Sequence, residues 1–417
     1  MRDRRGRTNG RSQIGAYRRA RRRRLTVLSV VALVVIAALG AGVVLGSDYV
    51  RGLGDAQPLP PSSANATSAP ATQPVGSSQA ATASAEASVA SASAPSPDTT
   101  RIIEIGWVGD LTPGSKYGNP PEDGRALFEY TREYLTEPDI MMANLEGTFG
   151  TGGPSKCDGR DSSVCYAFQA PPKNAESLAW AGIDVVNLAN NHTRDYLAEG
   201  LASTREALKA HEIAYTGLVD TVAIEEVDGV RVAILGFSPY SWSPDIGNLT
   251  AAKELVRAAG KDADIVVVLM HAGAEGADKT RTPKGAETAY GEFRGDSRAF
   301  SHAVIDAGAD LVLGSGPHVV RGMEEYKGRL VAYSLGNFAG WKNFSRAGRL
   351  ALSGLLTVRL DEDGRVVDGR WRSLRIAEPG VPKPDSDHTS AKLVQSLSEQ
   401  DFETPVQLEK DGTFTFE

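Results

Sequence analysis

The sequence predicts an α/β layered domain. Three observations carry that reading. Apolar strand-like runs alternate with helical patterns for roughly two hundred residues after Arg101. Each run stays apolar until its carboxyl end and then meets a polar residue. The series closes in two long runs that read as an antiparallel hairpin, Leu350 to Leu360 and Val366 to Ile376, turning at Asp361 to Gly364.

In chain order, Ile102 to Val108 is a strand that ends in Gly109-Asp110. Asp123 to Leu135 has Leu127, Tyr130, Tyr134 and Leu135 on one helical face. Asp139 to Ala143 is a strand leading to Asn144-Leu145-Glu146. Lys173 to Ala181 is a short helix stopped at Gly182. The central stretch, Ile183 to Tyr196, starts as a buried strand and breaks at Asn190-Asn191-His192, with Thr193 or Asp195 as N-cap types for the next helix. Leu197 to His211 is that helix. Val230 to Phe237 is a strand, Thr250 to Ala259 a helix, and Asp264 to Met270 a strongly apolar strand ending at His271. Ser297 to Ala307 is a helix, and Asp310 to Leu313 a short strand before Gly314-Ser315-Gly316-Pro317-His318. Leu330 to Ser334 is a strand leading to Asn337. Beyond Pro379 the pattern is weak and polar, as in a partly ordered tail.

The chain has 417 residues, 41% hydrophobic and 23% charged, with net charge -7. Its positive charge is segregated: Arg18, Arg19 and Arg21 to Arg24 crowd the first two dozen residues. The remainder is acidic, which argues against a nucleic-acid partner. Leu25 to Gly46 carries no charge and has about the length that spans a bilayer. The preceding arginines place the N-terminus in the cytoplasm and the rest outside. The expected organisation is a basic cytoplasmic tail (1–24), a transmembrane helix (25–46), a disordered linker rich in Ala, Ser and Pro (47–100), the folded domain (101–380) and a C-terminal tail (381–417). The expected location is therefore the cell membrane, single-pass, with the C-terminal domain extracytoplasmic. The apolar run is long for a signal peptide and no convincing A-x-A site follows it, so an uncleaved anchor is favoured over a cleaved, secreted form. In that oxidising compartment the only cysteines, Cys157 and Cys165 in one Gly/Ser/Asp-rich loop, read as a local disulfide.

Five strands end in residues that ligate cations or move protons: Asp110, Glu146, Asn191 with His192, His271 and His318. Largely parallel strands would bring them to one sheet edge. Each has a plainer reading: Asp110 as the cap of a turn, Glu146 as a loop carboxylate, His271 as a core histidine, His318 as a turn residue. Their joint placement favours chemistry. The set is oxygen-rich, holds two strand-end imidazoles besides His192 and lacks thiolate, so it suits Mn, Fe, Zn or Mg better than a structural zinc site. Glu275, His302 and the tryptophans read as structural or unassignable. No nucleophile-elbow context surrounds Ser238 or Ser334.

With these residues collected, the chain resembles the CapA family of bacterial capsule (poly-γ-glutamate) biosynthesis proteins. The matching stretches are GDLTPG at 109, NLEGT at 144, LANNHTRDY at 188, HAGAE at 271, GSGPHVVRG at 314 and SLGNF at 334, in the family's order. The resemblance implies a calcineurin-like metallophosphoesterase sandwich, two β-sheets flanked by helices, holding one or two divalent metal ions. It implies Asp110, Glu146, Asn191, His271 and His318 as metal ligands and His192 as the catalytic imidazole, oriented by Asp195. Asn337 would shape the site wall, beside Asn190. The expected activity is that of a metal-dependent hydrolase in envelope-polymer metabolism, acting on an anionic polymer or phosphoester and working beside a membrane-bound synthase. The rival expectation is a non-catalytic polymer-binding or export accessory protein. Two positions depart from the family pattern: Thr112 and Gly316 stand where histidines are usual.

Overall fold

The computed structural model describes residues 100–416, apart from Lys116 and residues 162–164. The basic segment, the apolar span and all but the last residue of the linker lie outside the described residues. Among the described residues no helix is long and apolar enough to cross a membrane.

Two sheets stack face to face. Their strands are β1 (Ile102–Thr112), β2 (Ile140–Leu145), β3 (Val185–Asn187), β4 (Ala214–Thr216), β5 (Ala223–Val227), β6 (Val230–Phe237), β7 (Ile265–His271) and β8 (Leu311–Ser315). There follow β9 (Met323–Tyr326), β10 (Arg329–Ala332), β11 (Asn337–Gly340), β12 (Leu352–Asp361), β13 (Val366–Ala377), β14 (Val381–Pro384) and β15 (Thr413–Thr415). The first sheet runs β14-β13-β12-β1-β2-β3-β4, with β11 beside β1 and β15 beside β13. The second runs β9-β10-β8-β7-β6-β5. The centre of each sheet is parallel: β1 with β2, β2 with β3, β6 with β7, and β7 with β8. The hairpins β12–β13, β9–β10 and β5–β6 add antiparallel strands.

The core follows the period of two. Ile103, Ile105 and Trp107 of β1 meet Val230, Val232 and Ile234 of β6 and Ile265, Val267 and Leu269 of β7 in one apolar layer between the sheets. Trp107, fully buried, also donates its indole N–H to the Gly314 carbonyl at 3.1 Å, which ties β1 to the end of β8. The alternate residues face helices. Met141, Ala143 and Val186 pack on α1 (Ala175–Ala181) and α2 (Leu197–Ala210). Val266, Val268 and Val312 pack on α3 (Leu249–Ala259) and α4 (Ser297–Ile305). The result is a helix–sheet–sheet–helix sandwich.

Two stretches differ from their expected form. Asp123 to Leu135 is not one helix: Asp123 (φ 53°) and Gly124 (φ 100°) sit in the left-handed region, and only Arg132–Leu135 forms an α-turn. Residues 381–417 are not a loose tail. They supply β14, β15 and α5 (Thr389–Asp401). Ser390 accepts the Trp371 indole N–H at 3.0 Å on the first sheet, and Ser398 accepts the Met323 amide at 2.8 Å on the second. The buried face of α5 is Ser390, Ala391, Val394, Leu397 and Ser398, so small polar groups replace much of the usual apolar stripe.

Candidate metal centre

The parallel strands of both sheets end at the same rim. β1 carries Asp110 there because of a tight crossing. A Cβ at Gly109 would lie 1.9 Å from the Gly336 carbonyl oxygen, so only glycine lets the chain approach and the Asp110 amide bond that oxygen at 3.0 Å. Just past β2, Glu146 bonds back to Leu111 through its amide at 2.8 Å. β7 ends at His271, and the turn after β8 carries His318 at φ 60°.

Asp110, Glu146 and His271 each offer a ligand atom, and these atoms lie within 4.8 Å of one another. The carboxylates are fully buried and His271 is 1% exposed. His318 joins them: its Nδ1 is 2.8 Å from Asp110 Oδ2 and 4.0 Å from Glu146 Oε2. Burial pulls the His271 imidazole down to about 3, which leaves it neutral and able to ligate. Burial also acts on His318, but the charges of Glu146 and Asp110 outweigh it and push that ring up to about 10. Burial, then the charge of Asp110, drives the Glu146 carboxyl well above its ordinary value. Burial likewise opposes ionisation of Asp110, yet the hydrogen bond and charge of His318 hold it low. Two buried carboxylates stand side by side here and each opposes the ionisation of the other, so a divalent cation entering the group would offset that repulsion.

Several buried polar atoms have no hydrogen-bond partner among the described residues. They include Glu146 Oε2, His271 Nε2, Asn191 Oδ1 and Asn337 Oδ1. Desolvated acceptors cost about 1–3 kcal/mol each when left unpaired. Of these, Glu146 and His271 belong with Asp110 to the group described above, and its oxygen and imidazole donors fit a divalent ion of the Mn, Fe, Zn or Mg type.

Asn144 is one residue that sequence reasoning missed. Its Nδ2 donates to Asp110 Oδ1 at 2.8 Å and to Glu146 Oε1 at 3.4 Å, and lies 3.3 Å from His271 Nδ1. Its Oδ1 accepts from Asn187 at 3.1 Å and Asn190 at 3.2 Å. This relay of amides holds both carboxylates in place. The available signal was its position, two residues before Glu146 at a strand's carboxyl end. Asn190 is wholly buried and acts as a clamp: its Nδ2 also donates to the Leu145 carbonyl, and its Oδ1 accepts from the His192 amide at 3.0 Å.

His192 stands beside the group with Nδ1 2.9 Å from Asp195 Oδ2. Its ring lies 4.6 Å from that of Phe168, and burial lowers its pKa while Asp195 opposes the shift. Asp195 also accepts the Phe168 amide at 2.6 Å and pairs with Lys156 at 2.6 Å. Neither Thr193 nor Asp195 caps α2; both side chains serve the turn before it. Lys156 neighbours the disulfide Cys157–Cys165, whose Cα atoms are 5.5 Å apart.

Glu275 lies at the site and is not merely structural. Its Oε2 is 3.8 Å from His318 Nε2, and its Oε1 pairs with Arg294. At the two departing positions, Thr112 is wholly buried and Gly316 adopts φ 114°. A hollow lined by Arg257, Asp264 and Asp310 lies at the amino ends of β7 and β8, away from this rim.

Comparison with known proteins bears on identity. Residues 104–340, more than half of the 417-residue chain, match the family described as Bacterial capsule synthesis protein PGA_cap. The chain is 29% identical over 310 residues to the capsule biosynthesis protein CapA of Bacillus anthracis, covering 66% of this chain and 68% of that one. It is 27% identical over 343 residues to the PGA biosynthesis protein CapA of Bacillus subtilis, covering 76% and 82%. Among solved structures, a hypothetical protein from Thermus thermophilus aligns with TM-score 0.41 and 16% identity, over 66% of this chain and 99% of that one. A 5'-nucleotidase precursor from the same organism aligns with TM-score 0.36 and 12% identity, over 72% and 59%. Those structural likenesses are distant; the sequence match is not, and by it the chain belongs to the bacterial capsule synthesis protein PGA_cap family.

Proposed function

We propose that this protein is a metal-dependent hydrolase of the calcineurin-like metallophosphoesterase type, held at the outer face of the cell membrane and acting in capsule or poly-γ-glutamate metabolism. One observation carries the reading: Glu146 Oε2 and His271 Nε2 are buried beside Asp110 with no hydrogen-bond partner among the described residues. Asp110, Glu146, His271 and His318 would hold the ion, with Asn191 offering a further oxygen. A bound divalent ion supplies Lewis acidity, which makes water a nucleophile near neutral pH and polarises a phosphoryl or carbonyl oxygen.

The chain's own residues do the rest. In neutral His192 the Nδ1–H donates to Asp195, which leaves Nε2 as a proton acceptor. Having taken a proton, the ring is stabilised by Asp195 and returns it to the departing oxygen or nitrogen. Such acid–base work contributes about 10²–10⁴-fold. The substrate class is a phosphoester or an amide of an anionic envelope polymer. Anchoring rests on the uncharged run at 25–46 behind its arginine cluster.

The test is metal analysis joined to turnover on the purified full-length protein. Wild type should retain Mn, Fe, Zn or Mg, and Asp110→Ala and His271→Ala should lose it. Wild type should cleave a chromogenic phosphodiester or a γ-glutamyl amide, and His192→Ala should not. Equal trace metal in wild type and both ligand variants defeats the reading. Thr112 and Gly316, where imidazoles are usual, favour a second reading: an accessory protein that binds polymer for a membrane synthase. That reading requires polymer binding that survives His192→Ala, with no turnover.

A further inference from the structure

We infer that Glu275 is the positioning residue for His318, and that Glu275 and Arg294 together decide which ring nitrogen His318 presents to a divalent cation. The inference rests on the metal reading above and adds two residues to which that reading gives no part. The His318 imidazole lies between carboxylates. Its Nδ1 faces Asp110 Oδ2 at 2.8 Å and Glu146 Oε2 at 4.0 Å, on the side where the candidate ligands meet. Its Nε2, across the ring, faces Glu275 Oε2 at 3.8 Å. That is too long for a hydrogen bond as it stands and within the range of a facing charge pair.

An imidazole that ligates through one nitrogen characteristically gives its other N–H to a carboxylate, which sets the tautomer and the ring plane. Glu275 occupies that outer position. It is itself held. Arg294, 4% exposed, grips its Oε1, and the Gly273 amide bonds the Arg294 carbonyl at 2.8 Å. The segment carrying both residues is pinned by Arg321, 1% exposed, which donates twice to Glu287 at 2.7 and 2.8 Å. The Ala274 amide donates to the same carboxylate at 3.1 Å. Glu275 is therefore mounted on a rigid strap. His318 needs such support more than its neighbours do. Its side chain is 20% exposed, against 0% for Asp110 and Glu146 and 2% for His271, so packing restrains it least.

The test is zinc and manganese binding to the full-length protein by calorimetry. It compares wild type, Glu275→Ala and Glu275→Ala/Arg294→Met, the double variant leaving no unpaired buried guanidinium. Both variants should bind about 10–100-fold more weakly, the range typical of lost outer partners. In ¹⁵N-histidine spectra of the zinc-loaded protein, His318 should show one tautomer, protonated at Nε2, in wild type only. A double variant within about twofold of wild type in affinity, with an unchanged His318 spectrum, overturns the assignment and leaves the metal centre standing. Wild type that binds neither ion, like Asp110→Ala, overturns both.

Discussion

Gly316 stands where the family pattern has a histidine, and the structure says what replacing it should do. Its φ is 114°, a conformation that side chains with a Cβ rarely adopt, at a cost of about 1–3 kcal/mol. A Cβ there would also lie 3.1 Å from the Ala272 amide nitrogen, 3.2 Å from its carbonyl oxygen and 3.4 Å from His271 Cδ2. Those atoms lie at and just past the end of β7, where the Ala272 amide bonds the Ser315 carbonyl of β8 at 2.9 Å. At these spacings Ala272, next to His271, would have to give by a few tenths of an ångström. Gly316→Ala should therefore lower stability by about 2–4 kcal/mol, backbone strain plus close contact. Gly316→His should cost at least as much and should weaken metal retention rather than improve it. Urea denaturation in chelator and calorimetry with zinc measure the two effects. If Gly316→His is as stable as wild type and binds metal more tightly, the backbone argument is refuted and the position is simply a lost ligand.

Other expectations follow from individual contacts. Burial lifts the Asp310 carboxyl to about 6, above the ~3.9 of an unfolded chain. The folded state thus holds that proton more tightly, and the stability so gained is present below about pH 4 and lost as pH rises through 6. Asp310→Asn should remove on the order of 2–3 kcal/mol of pH dependence across that window, so that denaturation curves give wild type a more favourable stability relative to the variant at pH 4 than at pH 7. Lys156→Met leaves buried Asp195 without its 2.6 Å ionic partner and should cost about 1–2 kcal/mol, whereas Lys156→Arg should cost less; equal losses would show that the charge is irrelevant. Trp107→Phe strips the Gly314 carbonyl of its 3.1 Å donor between the sheets, with a loss of about 1–3 kcal/mol by thermal or urea unfolding.

Much of the candidate site was readable because it lies at strand ends. β2, β6, β7 and β8 are apolar runs whose carboxyl termini are marked by a change of residue type, and β1 carries such a residue near its end. Asp110, Glu146, His271 and His318 stand at or just past those boundaries. Asn144 was less visible because an asparagine at a strand end reads as a turn former, and its role depends on Asp110 and His271, distant in sequence. Glu275 reads as structural or unassignable because nothing local pairs it with Arg294 or His318. The strand β9 and the helix α5 leave little trace in the sequence because short strands and serine-faced helices bury too little apolar surface to show a period.

The sequence by itself determined the alternation of strands and helices, the segregated charge of the N-terminus, and the residue types able to bind a cation, since these depend on local pattern and composition. Only tertiary structure decided that two sheets share one rim, that Asn144 and Glu275 lie beside it, and that Gly316 takes a φ of 114° with Ala272 close against it. The physical reason is that ligand geometry, burial and close backbone approach arise between residues as much as two hundred positions apart, and no local period records them.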